Sequence, residues 1–339
     1  MTTGIPTETP AVATGLESRR HVLDLDDFSP DEITSVLDAT DAMREVLGRD
    51  IKKVPSLRGK VVLTLFLEAS TRTRVSFEQA GKMLSADVIN IAGSGTSAEK
   101  GESLLNTALT LQAMRADLLI VRHPHSGAPY FLARNLSSMG VINAGDGRHA
   151  HPTQALLDLY TMRHHLGSLE GARVVIVGDV LHSRVARSDI FGLAAMGASV
   201  VLSGPPTMMP LDMLKPGGAP GFPKVTVEPD LDKAVVDADV VMALRIQTER
   251  SSSGLLPSMR EYTRRWQITP ARMAAAKPGA LVMHPGPMNE GLEITSSLAH
   301  GASALIEEQV TNGVAVRMAV LYQMLTGQGG PEQTGGTPA

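Results

Sequence analysis

The chain has 339 residues, enough for two domains of ordinary size, and 43% of them are hydrophobic, which is sufficient for a full core. The formal net charge is −4, so the chain has no excess of basic residues. This argues against nucleic acid as the main partner. The chain contains no cysteine, which excludes disulfides, thiolate catalysis and zinc–thiolate sites and favours a cytoplasmic location. Because residues 1–20 lack the apolar stretch of a signal peptide and no apolar run is long enough to cross a bilayer, we expect no membrane association.

The first half of the chain alternates between helical and strand patterns. Residues 1–20 read as a disordered tail, and Ser29 followed by Pro30 and two acidic residues is typical of a helix start. The predicted strands are 60–67, 87–91, 118–121 and 141–143, and the later predicted helices are the one after Ser70, then 104–114, 130–138 and one that begins at Pro152. This order predicts a parallel sheet covered by helices.

The same alternation begins again after Gly167. The predicted strands are 173–177, 198–202, 225–227, 240–244 and 280–283, the predicted helices are 183–196 and 304–325, and 204–223 and 245–258 read as loops. We therefore expect an α/β protein of two doubly wound parallel-sheet domains. The expected divisions are a tail at 1–20, domains at 21–165 and 166–303, and a solvated tail at 327–339.

The turn after the first long strand carries an unusual set of side chains. Ser70 lies where a helix N-cap belongs, and Arg72 and Arg74 lie in the first helical turn, where the helix dipole disfavours cations. Backbone N–H groups, hydroxyls and a guanidinium that converge at one helix start form a phosphate site. The residues expected to form it are Ser70, Thr71, Arg72 and Thr73. The alternative is a basic surface turn, which the alternation of hydroxyls and cations at a strand end disfavours.

Polar side chains also follow other predicted strands of the first domain. Arg122 ends one strand, His151 and Gln154 follow another, and the loop with Ser97 and Lys100 adds a hydroxyl and an ammonium. Together with the phosphate turn, this set is suited to polarising a carbonyl group that is attached to a phosphate. No nucleophile with its base is recognisable, so we expect catalysis by positioning and by stabilisation of a developing oxyanion.

The second domain contributes further cations. Arg184, Arg245 and Arg250, together with Gln247, suit a ligand with more than one carboxylate, because guanidinium binds carboxylate through paired hydrogen bonds. A dinucleotide site is the alternative for this domain. The residues after Gly178 do not form the glycine-rich fingerprint, however, and Arg184 lies where that turn would approach a pyrophosphate. This counts against a nicotinamide-dependent enzyme.

Each of these residues also has a purely structural interpretation. His151 is equally suited to capping a helix, and Lys100 to a solvated position in a loop. His149 and His151 have a spacing that suits a metal, but no matching carboxylate cluster accompanies them, which disfavours a metal site. The segment 245–250 is alternatively an exposed charged loop.

Two motifs resemble those of a known family, the transcarbamoylases. The run Ser70-Thr71-Arg72-Thr73-Arg74 resembles their carbamoyl-phosphate signature, and His151-Pro152-Thr153-Gln154-Ala155-Leu156-Leu157-Asp158 resembles their second signature, with Arg122-His123-Pro124 between them. Three further segments are similar to those of the aspartate branch of the family: Lys100-Gly101-Glu102, residues 245–250 and His284-Pro285-Gly286-Pro287. The ornithine branch typically carries a cysteine near the last of these motifs, and this chain has none.

The resemblance implies that a carbamoyl group passes from carbamoyl phosphate to the α-amine of L-aspartate, a step of pyrimidine (UMP) biosynthesis, without a cofactor or metal. The implied catalytic residues are Arg72, Thr73, Lys100, Arg122 and His151. The implied carbamoyl-phosphate ligands are Ser70, Thr71, Arg72, Thr73, Ser97, Arg122, His151, Gln154, Gly286 and Pro287. The implied aspartate ligands are Lys100, Arg184, Arg245 and Gln247, and Glu68 would pair with Arg184 and Arg250 when the domains close.

The resemblance also implies an assembly. Family members form homotrimers in which Ser97 and Lys100 reach a neighbouring subunit's site, with or without a regulatory chain or a dihydroorotase. The last helix, about 304–326, would pack back on the first domain, and the active site would lie between the two domains. One position departs from the family pattern, because Glu290 stands where relatives commonly carry an arginine.

Two rival functions remain at this stage. If the chain were a transcarbamoylase for another amine, such as ornithine, we would expect acidic or neutral groups in place of Arg184 and Arg245. If it were a catalytically silent binding subunit, we would expect the loss of Arg72, Lys100 or His151, and all three are present.

Overall fold

Continuous apolar runs form the strands of two parallel sheets. In the computed structural model, which describes residues 15–92, 102–214, 220–246 and 258–327, each sheet has five strands. The first comprises β1 (His21–Val22), β2 (Val61–Phe66), β3 (Asp87–Ala92), β4 (Leu118–His123) and β5 (Gly140–Asp146), in the order β1-β5-β4-β2-β3. The second comprises β6 (Arg173–Val177), β7 (Ser199–Ser203), β8 (Thr226–Val227), β9 (Val240–Ala243) and β10 (Leu281–Met283), in the order β10-β9-β6-β7-β8. Every strand pair is parallel, which confirms the predicted fold class.

Helices cover both sheets, as a parallel sheet requires. Those of the first half are α1 (Pro30–Gly48), α2 (Thr71–Met83), α3 (Leu104–Ala113), α4 (Ala128–Asn135) and α5 (Pro152–Leu166). Those of the second half are α6 (Arg184–Ala195), α7 (Leu231–Ala234), α8 (Met259–Trp266), α9 (Pro270–Met273), α10 (Ser296–Ala299) and α11 (Ile306–Thr326). No helix among the described residues combines the length and apolar character needed to cross a membrane.

The strand order reverses once in each sheet. In the first sheet, β3 lies on one side of β2 and β4 on the other. In the second sheet, β7 lies on one side of β6 and β9 on the other. The crevice beyond the carboxyl ends of the strands at such a reversal is where open α/β sheets bind ligands. The loops after β2, β4, β6 and β9 are therefore the expected ligand loops.

Local signals in the sequence account for the helix starts. The Ser29 side chain accepts a hydrogen bond from the Glu32 backbone while the Glu32 side chain accepts one from the Ser29 backbone, which is a complete capping box before α1. Ser70 caps α2 by accepting a hydrogen bond from the Thr73 N–H, as its position predicts.

Several segments differ from the prediction. Residues 15–20 are ordered rather than part of a tail, because Leu16 is fully buried, its N–H donates to Gln323 in α11, and β1 follows it along the edge of β5. β5 continues to Asp146, three residues beyond the end of the predicted strand at 141–143. The helix α8 was not predicted, although Tyr262 and Trp266 form a buried face on it.

The last helix joins the two halves of the chain. α11 packs against α1, α2 and α5 and its first turn reaches β10, so the last helix returns to the first sheet as the resemblance implies. Its approach to α2 is close, since a Cβ placed on Gly81 would lie 3.9 Å from Leu321 Cδ1. Arg317 and Gln309 are buried polar residues within this mostly apolar helix.

Leu321→Ala should lower the free energy of unfolding by about 2–5 kcal/mol, because it leaves a cavity where α11 meets α2. Chemical denaturation followed by circular dichroism measures this change. Tyr322→Ala is the matched control on the neighbouring exposed position and should change the free energy by about 0.5 kcal/mol or less. Similar losses in both variants would contradict this account of how α11 packs.

Candidate active site

A cavity of about 770 Å³ opens between the two sheets, beside the points where their strand orders reverse. All of the predicted site residues that the structure describes line it: Glu68, Ser70, Thr71, Arg72, Thr73, Arg122, His151, Gln154, Arg184, Arg245, Gly286 and Pro287. The predicted residues Ser97, Lys100, Gln247 and Arg250 lie outside the described residues. Among those described, no group of three or more His, Cys, Asp or Glu side chains is arranged to hold a metal.

The phosphate turn places Arg72 in the cavity. Ser70 and Thr73 are held by the capping hydrogen bond, while Arg72, in the first turn of α2, forms no ion pair with any described residue. Partial desolvation, followed by the nearby charge of Arg245, lowers the pKa of Arg72. The negative charge of a bound anion would offset both effects, so this helix start is electrostatically prepared to bind one.

A glutamate bridges the two halves of the site. Glu68 Oε1 accepts hydrogen bonds from Arg122 Nη2 at 2.8 Å and from Arg184 Nη2 at 2.7 Å, and Glu68 Oε2 accepts one from Arg184 Nη1 at 3.1 Å. Arg122 is the last but one residue of β4 in the first sheet, and Arg184 begins α6 in the second half, so one carboxylate ties both halves together. The resemblance implies a pairing of Glu68 with Arg184 on domain closure, and this contact is present, whereas the pairing with Arg122 was not predicted. The implied partner Arg250 lies outside the described residues.

Two glycines make room for the arginines. Gly145 has φ +113°, and a Cβ placed on it would lie 2.9 Å from Arg184 Cζ and 3.0 Å from Arg122 Nη1. Gly286 has φ +63°, and a Cβ there would overlap the Arg72 guanidinium. Only glycine meets both requirements at these positions, so the backbone of the second half lies directly against the phosphate turn.

His151 is buried beside this cluster of cations. It occupies the N-cap position of α5, but its side chain makes no capping hydrogen bond, which argues against the purely structural interpretation. Its backbone N–H donates to Ser188 Oγ at 2.9 Å, and Ser188 in turn donates to Asp24. Desolvation, followed by the charges of Arg122 and other nearby arginines, lowers the pKa of His151 well below its usual range. The imidazole is therefore neutral at neutral pH.

A buried glutamate organises the loops of the second half. Glu293 Oε1 accepts from the Ile246 N–H at 2.8 Å and Glu293 Oε2 from the Asn289 N–H at 2.6 Å, which joins the loop of Arg245 to the loop of residues 284–291. His284 Nδ1 accepts from the Gly286 N–H at 2.8 Å. These contacts hold Gly286 and Arg245 at the cavity wall.

The structure also shows the contacts of His149 and Glu290, two residues considered in the sequence analysis. His149 pairs with Asp146 at 3.2 Å rather than with His151. Glu290 is paired with His300 at the surface, 3.4 Å away, and does not line the cavity.

Sequence reasoning missed Arg317 and Gln309, which reach the cavity from α11. Their signal was available, since polar residues at the buried positions of an apolar helix need a polar partner.

Comparison with known proteins identifies the family. The carbamoyl-phosphate binding domain of aspartate/ornithine carbamoyltransferases matches residues 20–164, and the aspartate/ornithine binding domain matches residues 170–324. The chain belongs to the aspartate/ornithine carbamoyltransferase family.

Individual family members show the extent of the likeness. The aspartate carbamoyltransferase catalytic subunit of Roseiflexus castenholzii is 58% identical over 306 residues, which cover 90% of this chain and 95% of that protein. The aspartate transcarbamoylase of Trypanosoma cruzi in complex with carbamoyl aspartate and phosphate has a TM-score of 0.76 and 30% identity over 89% of this chain and 94% of its own. The ornithine carbamoyltransferase of Pyrococcus furiosus has a TM-score of 0.79 and 27% identity over 91% of this chain and 97% of its own.

Removing the charge of Glu68 should destabilise the protein, because Arg122 and Arg184 would remain mostly buried without their shared carboxylate. We expect Glu68→Gln to lower the free energy of unfolding by about 3 kcal/mol, as measured by urea denaturation. Glu78→Gln is the matched control, because the exposed pair of Glu78 with Lys82 contributes about 1 kcal/mol or less. Equal losses in the two variants would contradict the bridging role.

Proposed function

We propose that this chain transfers the carbamoyl group of carbamoyl phosphate to the α-amine of L-aspartate, which gives N-carbamoyl-L-aspartate and phosphate for pyrimidine synthesis. The observation that carries the proposal is that two groups of cationic side chains line one cavity. One is the start of α2 with Arg72, and the other consists of Arg184 and Arg245 from the second half of the chain. The first suits a phosphate, and the second suits the two carboxylates of aspartate.

The phosphate half-site consists of the start of α2. Its free backbone N–H groups, the hydroxyls of Ser70, Thr71 and Thr73, and the Arg72 guanidinium would hold the phosphate of carbamoyl phosphate. Gln154 and the backbone of Gly286 and Pro287 would contact the carbamoyl amide. The relatives support this assignment, because the Trypanosoma cruzi structure contains phosphate and carbamoyl aspartate.

The chemical step is an addition followed by an elimination. The neutral α-amine of aspartate attacks the carbamoyl carbon, a nitrogen–carbon bond forms, and the carbonyl oxygen becomes an oxyanion. Arg122, His151 and the Thr73 hydroxyl would stabilise that oxyanion, and a neutral His151 does so as a hydrogen-bond donor. The bond from carbon to the phosphate oxygen then breaks, and the departing phosphate accepts the proton of the amine.

The acceptor half-site distinguishes aspartate from ornithine. Arg184 is held at the cavity wall by Glu68, and Arg245 by the contacts of its neighbour Ile246 with Glu293. A cationic ornithine side chain would be repelled by both arginines, whereas a second carboxylate is attracted. Fold alone does not decide between the two, because the ornithine enzyme of Pyrococcus furiosus is equally similar in structure. The 58% identity to an aspartate enzyme favours aspartate.

The assembly and the division into domains belong to the same proposal. We place the carbamoyl-phosphate domain at 21–165 with the last helix and the aspartate domain at 166–303. The family matches at 20–164 and 170–324 support a division near residue 165, and the place of the last helix rests on its packing against α1, α2 and α5. The active protein would be a cytoplasmic homotrimer in which Ser97 and Lys100 complete the site of a neighbouring subunit and Gln247 adds to the aspartate site. Light scattering of the purified chain measures the trimer.

Phosphate release from carbamoyl phosphate tests the reaction directly. We expect release with L-aspartate and none above background with L-ornithine in a parallel assay, because the two arginines select a second carboxylate. Release with ornithine instead would overturn the acceptor assignment. No release with either amine from a folded trimer would favour the silent binding subunit.

Arg72→Ala should lower kcat about 100- to 1,000-fold, the range expected when one preorganised charge-stabilising donor is lost. Steady-state assay with saturating aspartate measures it. Arg74→Ala is the matched control, because Arg74 carries the same charge in the same helical turn but does not line the cavity. Near-normal turnover of the Arg72 variant would contradict the phosphate assignment.

A further inference from the structure

We propose that Asp158 is a positioning residue that fixes which end of the Gln154 amide faces the cavity, and that it thereby makes the site selective for the carbamoyl NH₂ group. The inference rests on the proposed function, because it concerns the donor half of that site. It adds a buried residue that does not line the cavity and therefore cannot touch the substrate.

The contacts are those of one buried carboxylate with two amides. Gln154 Nε2 donates to Asp158 Oδ1 and Oδ2, at 3.1 Å each, and Gln309 Nε2 donates to Asp158 Oδ1 at 2.6 Å. Asp158 is fully buried, and Gln154 and Gln309 are at most 9% exposed. An ionised carboxylate only accepts hydrogen bonds, so it orients both amide NH₂ groups towards itself. The Gln154 oxygen is left to face the cavity.

Gln309 cannot exchange the ends of its own amide. Its Oε1 accepts a hydrogen bond from the backbone N–H of His284 at 3.0 Å, and that N–H cannot become an acceptor. The Gln309 NH₂ group must therefore face Asp158 in every arrangement. Of the two amides, Gln154 alone is free to turn, and the charge of Asp158 decides its orientation.

Neighbouring groups favour the charged form of Asp158 over the charged form of Asp189. Burial raises the pKa of Asp158 to about 7 and that of Asp189 well above its usual range, and at Asp158 the hydrogen bonds from Gln309 and Gln154 and the charge of Arg317 oppose the rise. Neither carboxyl oxygen of Asp189 has a hydrogen-bond partner among the described residues. Asp189 is therefore the member of the pair that keeps its proton. Burial lowers the pKa of Arg317 to about 9, so its guanidinium remains charged at neutral pH.

The orientation matters because the carbamoyl group carries hydrogen-bond donors. An amide oxygen at Gln154 accepts from the carbamoyl NH₂, whereas an amide NH₂ group turned into the cavity would oppose it with a second donor. Acetyl phosphate has a methyl group in place of that NH₂ and gains nothing from the oxygen. The ratio of the two affinities therefore reports how Gln154 is oriented.

Asp158→Asn tests this with almost no change in shape. Gln309 must still donate, so the oxygen of the new side-chain amide accepts its hydrogen bond and the NH₂ group of that amide faces Gln154. Gln154 then turns its oxygen inward and presents its NH₂ group to the cavity. We expect KM for carbamoyl phosphate to rise about tenfold, while Ki for acetyl phosphate and Ki for phosphate stay unchanged.

Asp189→Asn is the matched control, since it makes the same replacement at an equally buried carboxyl that contacts no amide of the site. It should leave all three constants unchanged. A parallel rise of all three in Asp158→Asn would indicate a structural role and overturn the proposal, and so would unchanged constants. If the wild-type protein does not use carbamoyl phosphate, the proposed function itself fails, which is a separate result.

A second variant restores the acceptor. In the double variant Gln154→Glu with Asp158→Asn, residue 154 is a carboxylate with two acceptor oxygens. One oxygen accepts from the NH₂ group of the new amide at position 158, and the other accepts from the carbamoyl NH₂. The KM for carbamoyl phosphate should therefore return towards the wild-type value. Failure of this rescue would overturn the proposal. Should neither variant fold, hydrogen exchange of the Gln154 side-chain NH₂ in the wild-type protein decides the point. Slow exchange is expected if the Gln154 NH₂ protons are hydrogen-bonded to the buried carboxylate of Asp158, and fast exchange would overturn the assignment.

Discussion

The ion pairs of Glu68 hold the active site together. Among the described residues that line the cavity, five arginines face a single carboxylate, Glu68. Arginines that approach each other in a partly desolvated space repel, and this repulsion acts to separate the two sheets. Glu68 opposes it by pairing with one arginine from each half, Arg122 and Arg184. The geometry of the site therefore depends on this one acidic side chain.

The remaining excess of positive charge explains why the site is suited to anions. A phosphate at the start of α2 and two carboxylates near Arg245 would supply the negative charge that the described lining residues lack. Ligand binding and the approach of the two sheets then favour each other, because each anion that enters lowers the repulsion between the arginines. Gly286 lies against Arg72, so the backbone of the second half is already in contact with the phosphate turn.

The same cations keep His151 neutral. A protonated imidazole would be repelled by Arg122 and by the other arginines nearby, and burial disfavours its charge further. A neutral imidazole still donates one hydrogen bond, which is what an oxyanion requires. The cluster of cations and the uncharged histidine are consequently two results of one arrangement.

Much of this arrangement could be predicted from the sequence, because it is encoded locally. The phosphate turn combines a cap, hydroxyls and an arginine within a few residues, Arg122 lies at the carboxyl end of β4, and Arg184 begins the helix that follows β6. The contributions of Arg317, Gln309 and Glu293 could not be predicted in the same way. These residues approach the site from distant parts of the chain, and only the packing of α11 and the 284–291 loop brings them there. Leu16 was assigned to a tail for the same reason, since its burial depends on contact with α1 and α11.

The fold separates the choice of donor from the choice of acceptor. Under the proposed function, the first half of the chain supplies Arg72, Arg122 and the amide of Gln154 to the carbamoyl phosphate half of the site, and the second supplies Arg184 and Arg245 to the acceptor half. An ornithine enzyme and an aspartate enzyme share this architecture at TM-scores of 0.79 and 0.76 to the present structure. The two acceptors differ in charge at the end remote from the reacting amine, so loops at the second sheet are sufficient to exchange one for the other. The donor half has no such freedom, because the orientation of Gln154 depends on Asp158 and Gln309, which are buried between α5 and α11 where a change of charge is costly.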